Sequence, residues 1–205
     1  MFTPNLKKTG VAVFICFVLL SGQLCAQGNA MWEKVSLAIE MGNWQPHRLN
    51  DEPSFETFGA AGATPYWGLA LSMPISHDLC LMTNLGYWSL KDLNEVQSVH
   101  SLILHPVSVD IKYWLVPDYR LSAYVFYGGM LCWGVENETS PFGDRLTKAR
   151  AGFGANLGAG FDLALSRHLG LGMTFQYHYI QFKKSLGGVS DFSGPKLTTA
   201  IFYFL

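Results

Sequence analysis

Between Ala151 and Tyr179 the chain alternates in period two, broken by one short turn. Ala151, Phe153, Ala155, Leu157, Ala159, Phe161, Leu163 and Leu165 share one face; Gly152, Gly154, Asn156, Gly158, Gly160, Asp162 and Ala164 share the other. The pattern resumes after Ser166-Arg167-His168. Leu169, Leu171, Met173, Phe175, Tyr177 and Tyr179 fall on one side, Gly170, Gly172, Thr174, Gln176 and His178 on the other. Successive strand side chains point to opposite faces, so this segment reads as a hairpin with one apolar face and one small or polar face.

Working outwards from this hairpin gives eight strands, over 32–43, 64–75, 79–90, 101–115, 120–134, 148–165, 168–181 and 194–205. In the first, Val35, Leu37, Ile39 and Met41 oppose Lys34, Ser36, Ala38 and Glu40. In the fourth, Ile103, His105, Val107, Val109, Ile111 and Tyr113 oppose Leu104, Pro106, Ser108, Asp110 and Lys112. The connections alternate between short turns (76–78, 116–119, 166–167) and longer polar stretches (44–63, 91–100, 135–147, 182–193). Hydrophobic residues make up 49% of the chain, yet after the N-terminal segment no run is long and apolar enough for a membrane helix. Such a chain either has a large core or wears its apolar residues outside a barrel. The fold class expected is all-β, an eight-stranded antiparallel up-and-down transmembrane β-barrel. Both termini then fall at the short-turn, periplasmic end, and four loops face outwards.

The N-terminus reads as a targeting segment. Lys7 and Lys8 precede the apolar run Val11 to Leu20, and Ser21, Gly22 and Leu24-Cys25-Ala26 follow. This is the layout of a secretory signal peptide, with cleavage after Ala26 favoured and Gly28 or Ala30 open. The division is therefore 1–26 signal peptide and 27–205 barrel. Loss of two lysines takes the formal charge from −1 to −3. That leaves no basic footprint for nucleic acid. Cys80 and Cys132 remain, near opposite ends of their strands and too far apart for a disulfide, so two free inward thiols are expected.

Aromatic residues sort to both rims. Trp44, Tyr66, Trp67, Tyr87, Trp88, Trp133, Tyr177 and Tyr179 are placed near the outer rim, and Trp32, Tyr113, Trp114, Tyr119 and Tyr203 near the periplasmic one. Two girdles are what headgroup levels select.

The runs Ser108–Leu115, Tyr124–Gly129, Gly152–Leu165, Asp191–Gly194 and the end Ala200-Ile-Phe-Tyr-Phe-Leu205 resemble the small outer-membrane β-barrel family, of the OmpX and OmpA-transmembrane-domain type. The likeness covers the mature chain and speaks for architecture more than activity. It implies outer-membrane localisation, surrounding lipid, insertion by the barrel-assembly machinery and a monomer. Members typically end on an aromatic residue. Here Leu205 follows Phe204, which leaves open whether the outward face of the last strand is the set ending at Leu205 or the set ending at Phe204.

The inward face carries Lys34, Glu40, Asp110, Lys112, Arg150, Asp162, His178 and the further candidate Lys196. A barrel of eight strands is just wide enough for side chains to fill it, so these read as a paired network closing the lumen, with a narrow ion pore as the alternative. Lipid A deacylases of this architecture show His-x-Ser on a strand; here His178-Tyr179-Ile180 stands instead, and no catalytic residue is assigned. The histidines have no metal-ligand spacing, and no cofactor is expected. His105 sits awkwardly on the lipid-facing side, unless it lies at the interface or a bulge turns it inward. Gly128, Gly129, Gly152, Gly154, Gly158 and Gly160 read as room for bulky inward neighbours such as Tyr124 and Phe126, with a cleared path for a ligand as the alternative. The functional expectation is a non-enzymatic envelope protein acting through its loops. Loop 44–63, with Trp44, His47, Arg48, Asp51, Glu52, Phe55 and Phe58, is the expected contact with a surface ligand. A lipid-modifying enzyme or a narrow pore or ligand carrier stands as the alternative.

Overall fold

A computed structural model describes residues 33–47, 64–93, 99–115, 120–139 and 145–205. They form nine strands: β1 (Ser36–Trp44), β2 (Thr64–Pro74), β3 (Leu79–Leu93), β4 (Val99–Trp114), β5 (Leu121–Thr139), β6 (Arg145–Ala164), β7 (Leu169–Leu186), β8 (Val189–Asp191) and β9 (Gly194–Phe204). Neighbours pair antiparallel from β1 through β7, β7 pairs with β9, and β9 returns to β1. Among the described residues the three-residue β8 pairs only with β7, so eight strands make a closed wall. Ser36 stands opposite Phe204 and Trp44 opposite Lys196 across the seam. Leu205 N donates to Val35 O at 2.9 Å, tying the two ends of the wall together.

Tight turns close one end. At 75–78, Ile75 N and Ser76 N both donate to Leu79 O, at 2.8 and 3.1 Å. At 165–168, Ser166 Oγ accepts from the backbone of His168 and Leu169. The strand ends that lead into the longer connections lie at the other end, here called the loop end.

The expected alternation holds wherever the two faces of a strand meet different environments. In β7 burial alternates at every residue from Leu169 to Phe182. Outward side chains such as Ile39, Val109, Phe153, Leu157 and Ile201 are exposed, while their neighbours are buried. An exposed apolar band of this kind requires an apolar surrounding. The last strand settles its register: Leu197, Thr199, Ile201, Tyr203 and Leu205 face outwards, and Phe204 is buried against Phe202 inside.

Four expected boundaries are too short. β3, β5, β6 and β7 run on to Leu93, Thr139, back to Arg145, and to Leu186, where the sequence pattern places polar loops. In 146–149 every residue is exposed, so both faces see water and hydrophobic alternation vanishes; in 182–186 only Phe182 and Leu186 are buried, four residues apart, which breaks the period of two. Ladder hydrogen bonds keep them extended: Val135↔Ala149 and Asn137↔Thr147 continue the β5–β6 register unbroken. The signal-peptide reading falls on residues outside those described, as do Trp32, Tyr119 and most of loop 44–63 (48–63).

The wall is consequently uneven. A strand tilted in a bilayer needs about 9–11 residues to cross. β1 has 9 residues and β2 and β9 have 11 each, whereas β5 has 19 and β6 has 20. Since β1 spans with nothing to spare, its central outward residue Ile39 lies near mid-membrane. Ile39→Lys is expected to destabilise the barrel by about 2–4 kcal/mol, measured by urea unfolding in lipid vesicles.

Candidate functional site: the layered lumen

The inward face fills the barrel in three layers. At the loop end Trp44, Trp88, Leu102, Leu104, Ile180 and Phe192, among others, pack into an apolar plug. At the turn end Trp114, Tyr124, Phe126, Phe202 and Phe204 form an aromatic floor. Between them lies a polar layer of Glu40, Tyr66, Asn84, Ser108, Asp110, Asn156, Gln176, His178 and Lys196, all buried.

Two buried lysines organise the charges. Lys112 Nζ donates to Asp162 Oδ2 at 2.6 Å and lies 3.7 Å from the Tyr124 ring centroid and 3.9 Å from that of Trp114. Lys196 Nζ lies 3.6 Å from Glu40 Oε2 and 3.5 Å from the Tyr66 ring centroid. Each ammonium thus has one carboxylate and at least one aromatic face, which offsets its desolvation. Glu40 Oε2 also accepts from Asn84 Nδ2 at 2.6 Å, and Asn84 Oδ1 accepts from Tyr66 Oη at 2.8 Å. Ser108 Oγ donates to Asp110 Oδ2 at 2.8 Å. Tyr124 Oη and Thr174 Oγ1 share a hydrogen bond of 2.6 Å.

Of the charged residues selected from sequence, Glu40, Asp110, Lys112, Asp162 and His178 are buried in the lumen. Lys34 lies at the turn-end rim, lining a small cavity with Cys80, Lys112 and Asp162. Arg150 has the inward parity but stands at the loop end, half-buried, where its Nη1 donates to Ala149 O at 3.0 Å and it joins no lumen ion pair among the described residues. The uncharged members Asn84, Ser108, Asn156, Thr174 and Gln176 escape selection from sequence. Their inward parity is visible in the alternation, but they carry no charge to draw attention.

The glycines make room as expected except at Gly129, where an added Cβ would meet nothing within 4 Å. A Cβ at Gly158 would strike the Phe126 ring, one at Gly160 the Tyr124 hydroxyl at 2.6 Å, and one at Gly128 the Asp110 carboxylate. Two cavities among the described residues each have room for about one water molecule; Lys112 and Phe202 line both and stand between them.

Four aromatic placements need correction. Trp44, Tyr66, Trp88 and Trp114 are buried inside, not at the rims. The parity that turns Glu40 inward also turns Trp44 inward, and there it fills the plug against Trp88, with ring centroids 5.5 Å apart. Trp67, Tyr87, Trp133, Tyr177 and Tyr179 are exposed towards the loop end, and Tyr113 and Tyr203 towards the turn end. His105 faces outwards without a bulge. It pairs with Trp133 across the β4–β5 ladder and its ring lies 5.4 Å from that of Tyr87, so it sits among the outer aromatic residues.

His178 is buried at the plug's lower edge, its ring 5.2 Å from that of Trp44. In the ladders its neighbours are Asn156 and Gly194. It faces the lumen rather than lipid. Cys80 and Cys132 are both free and buried. Among the described residues no three His, Cys, Asp or Glu side chains gather as a metal site.

A closed eight-stranded barrel with an apolar exterior and a filled lumen is the fold of the small outer-membrane β-barrels. Solved structures share it across most of this chain. The outer membrane protein OprG from Pseudomonas aeruginosa is 12% identical, with 84% of this chain and 96% of that one covered and a TM-score of 0.57. A major outer membrane protein from Thermus thermophilus is 11% identical (83% and 99% covered, TM-score 0.55). Ail, the attachment invasion locus protein of Yersinia pestis, solved with the heparin analogue sucrose octasulfate, is 11% identical (83% and 95% covered, TM-score 0.51). No protein-family model and no curated protein sequence matches the chain.

Breaking the lower ion pair tests the layer directly. Asp162→Ala leaves the Lys112 ammonium buried and unpaired, and a loss of about 3–5 kcal/mol is expected. Lys112→Met with Asp162→Leu removes both charges and is expected to cost far less than the two single substitutions summed, read as a double-mutant cycle in urea unfolding.

Proposed function

We propose that this chain is a non-enzymatic, integral outer-membrane protein that works by surface contact. The observation carrying this reading is the sheet that projects beyond the barrel at the loop end. From Ser89 onwards β3 pairs with β4 but with no residue of β2. From Arg145 to Ala151, β6 pairs with β5 and with no described strand on its other side. The projection is thus a four-stranded sheet, β3 to β6, with two open edges among the described residues. An open edge offers unpaired backbone groups to an extended partner segment. Lys148 and Arg150 on the β6 edge discourage self-pairing and favour an acidic or anionic partner. The sucrose octasulfate bound by Ail is a ligand of that chemical kind on a barrel of the same fold.

In this reading residues 1–26 direct export and are removed, the barrel-assembly machinery inserts the chain as a monomer in outer-membrane lipid, the tight turns face the periplasm and the projecting sheet faces outwards. Trp44 to His47, the described start of loop 44–63, lie at the same end of the barrel as that sheet. The filled lumen supports contact over conduction, and the burial of His178 beneath the plug argues against work on outer-leaflet lipid.

Expression in a Gram-negative host tests this. The protein should enter the outer-membrane fraction, and a membrane-impermeant amine reagent should modify exposed Lys183 and Lys184 on intact cells. Labelling only after the envelope is permeabilised would reverse the orientation and remove the surface role.

A further inference from the structure

The upper end of β7 is not part of the barrel wall. The β6–β7 ladder stops at Gly152↔Phe182, and the β7–β9 ladder starts at His178↔Gly194. Beyond these points β7 turns back through Gly187 and Gly188, whose φ values of 58° and 82° place them in the left-handed region that favours glycine. The returning β8 pairs with β7 at Leu186↔Val189 and Gln181↔Asp191, with a register irregularity between.

This hairpin leans into the mouth. Phe182, Leu186 and Val189 are buried in the apolar plug with Trp44, Trp88 and Cys132. The wall provides a seat for it in two glycines. A Cβ on Gly134 would overlap Leu186, and one on Gly152 would come within 2.9 Å of the Phe182 ring. Across the mouth, Glu136 of β5 accepts from Gly187 N at 3.0 Å and from Lys148 Nζ at 3.4 Å. Hinge points are in place as well: Phe192 N donates to Ile180 O and His47 N to Ser193 O, which hold the base of the hairpin while its tip spans the opening.

We propose that the 183–191 hairpin is a displaceable stopper, held by a glycine seat and a carboxylate latch at Glu136, over a vestibule in the mouth of the barrel. Three observations carry this. From residue 183 onwards the hairpin can swing without breaking a ladder that closes the wall, because the β6–β7 pairing ends at Phe182. Its tip is latched to β5 through the Glu136 carboxylate and the turn amide of Gly187. Beneath it His178 and Lys196 line a small cavity in the buried polar layer. With the hairpin displaced, the vestibule has aromatic and aliphatic walls from Trp44, Trp88, Leu102 and Leu104 and a polar base at His178 and Lys196. The aromatic floor at the turn end stays in place, so opening makes a cup, not a channel. Such a cup suits a small apolar molecule with a polar end.

Cys132 reports on the stopper, because it is fully buried in the plug. With Cys80→Ser as background, a water-soluble maleimide is applied to folded protein in proteoliposomes. Cys132 should label slowly in that background. Glu136→Ala should label faster by about tenfold or more, the scale of a lost charge-assisted hydrogen bond. Glu136→Gln keeps an acceptor for Gly187 N and should fall between. Hydrogen exchange at 183–190 should quicken in Glu136→Ala while amides of the β1–β9 ladder stay protected, which separates release of the hairpin from loss of the barrel. Equal labelling in the background protein and Glu136→Ala overturns the proposal, as does equal protection at 183–190. Failure of surface labelling at Lys183 would reverse the membrane orientation without touching this result.

Discussion

Everything in this molecule depends on the ladder between β1 and β9. A bilayer offers no hydrogen-bonding partner to backbone, so an open sheet edge within it would leave a row of unsatisfied groups, each costing several kcal/mol. The register from Ser36↔Phe204 to Trp44↔Lys196 removes that edge. Once the ring is closed, parity is fixed for every strand. One face must meet lipid and the other must fill a space too narrow for a pore.

The lumen answers that second demand with layers. Large rings pack where glycines on the opposite strand leave room, as Phe126 does over Gly158. The polar groups gather at one level, where Tyr66, Asn84 and Glu40 hydrogen-bond in a chain. Lys112 and Lys196 are each set against a carboxylate and an aromatic face, so neither charge meets a purely apolar surrounding. The plug above and the floor below then isolate this layer. At the loop end four strands continue past the closed ring and a hairpin folds over the mouth.

How much of this is legible in the sequence follows from what each residue sees. Alternation from Ala151 to Tyr179 reveals the hairpin and its faces, because one side meets lipid and the other the lumen. The same rule, carried two steps beyond Glu40, places Trp44 inside; reading it as an interface tryptophan follows residue type over parity. His105 lies where alternation puts it, and its neighbours Tyr87 and Trp133 account for a histidine there. Strand ends are unreadable for a physical reason. At 146–149 water lies on both sides, so hydrophobic pattern vanishes while the ladder persists. The uncharged members of the polar layer escape notice because Asn84, Ser108 and Gln176 show inward parity but carry no charge. The Glu136–Gly187 contact joins residues 51 apart in sequence and leaves no local signal at all.

The most direct test of the account is nuclear magnetic resonance of the refolded protein in detergent micelles, directed at the seam. Cross-strand contacts between Leu37 and Tyr203 and between Ile39 and Ile201, with slow amide exchange along β1, are the result this structure requires. A spectrum in which β1 and β9 show no mutual contacts and exchange freely would mean that the sheet does not close, and the layered lumen and the membrane-facing band would fall with it.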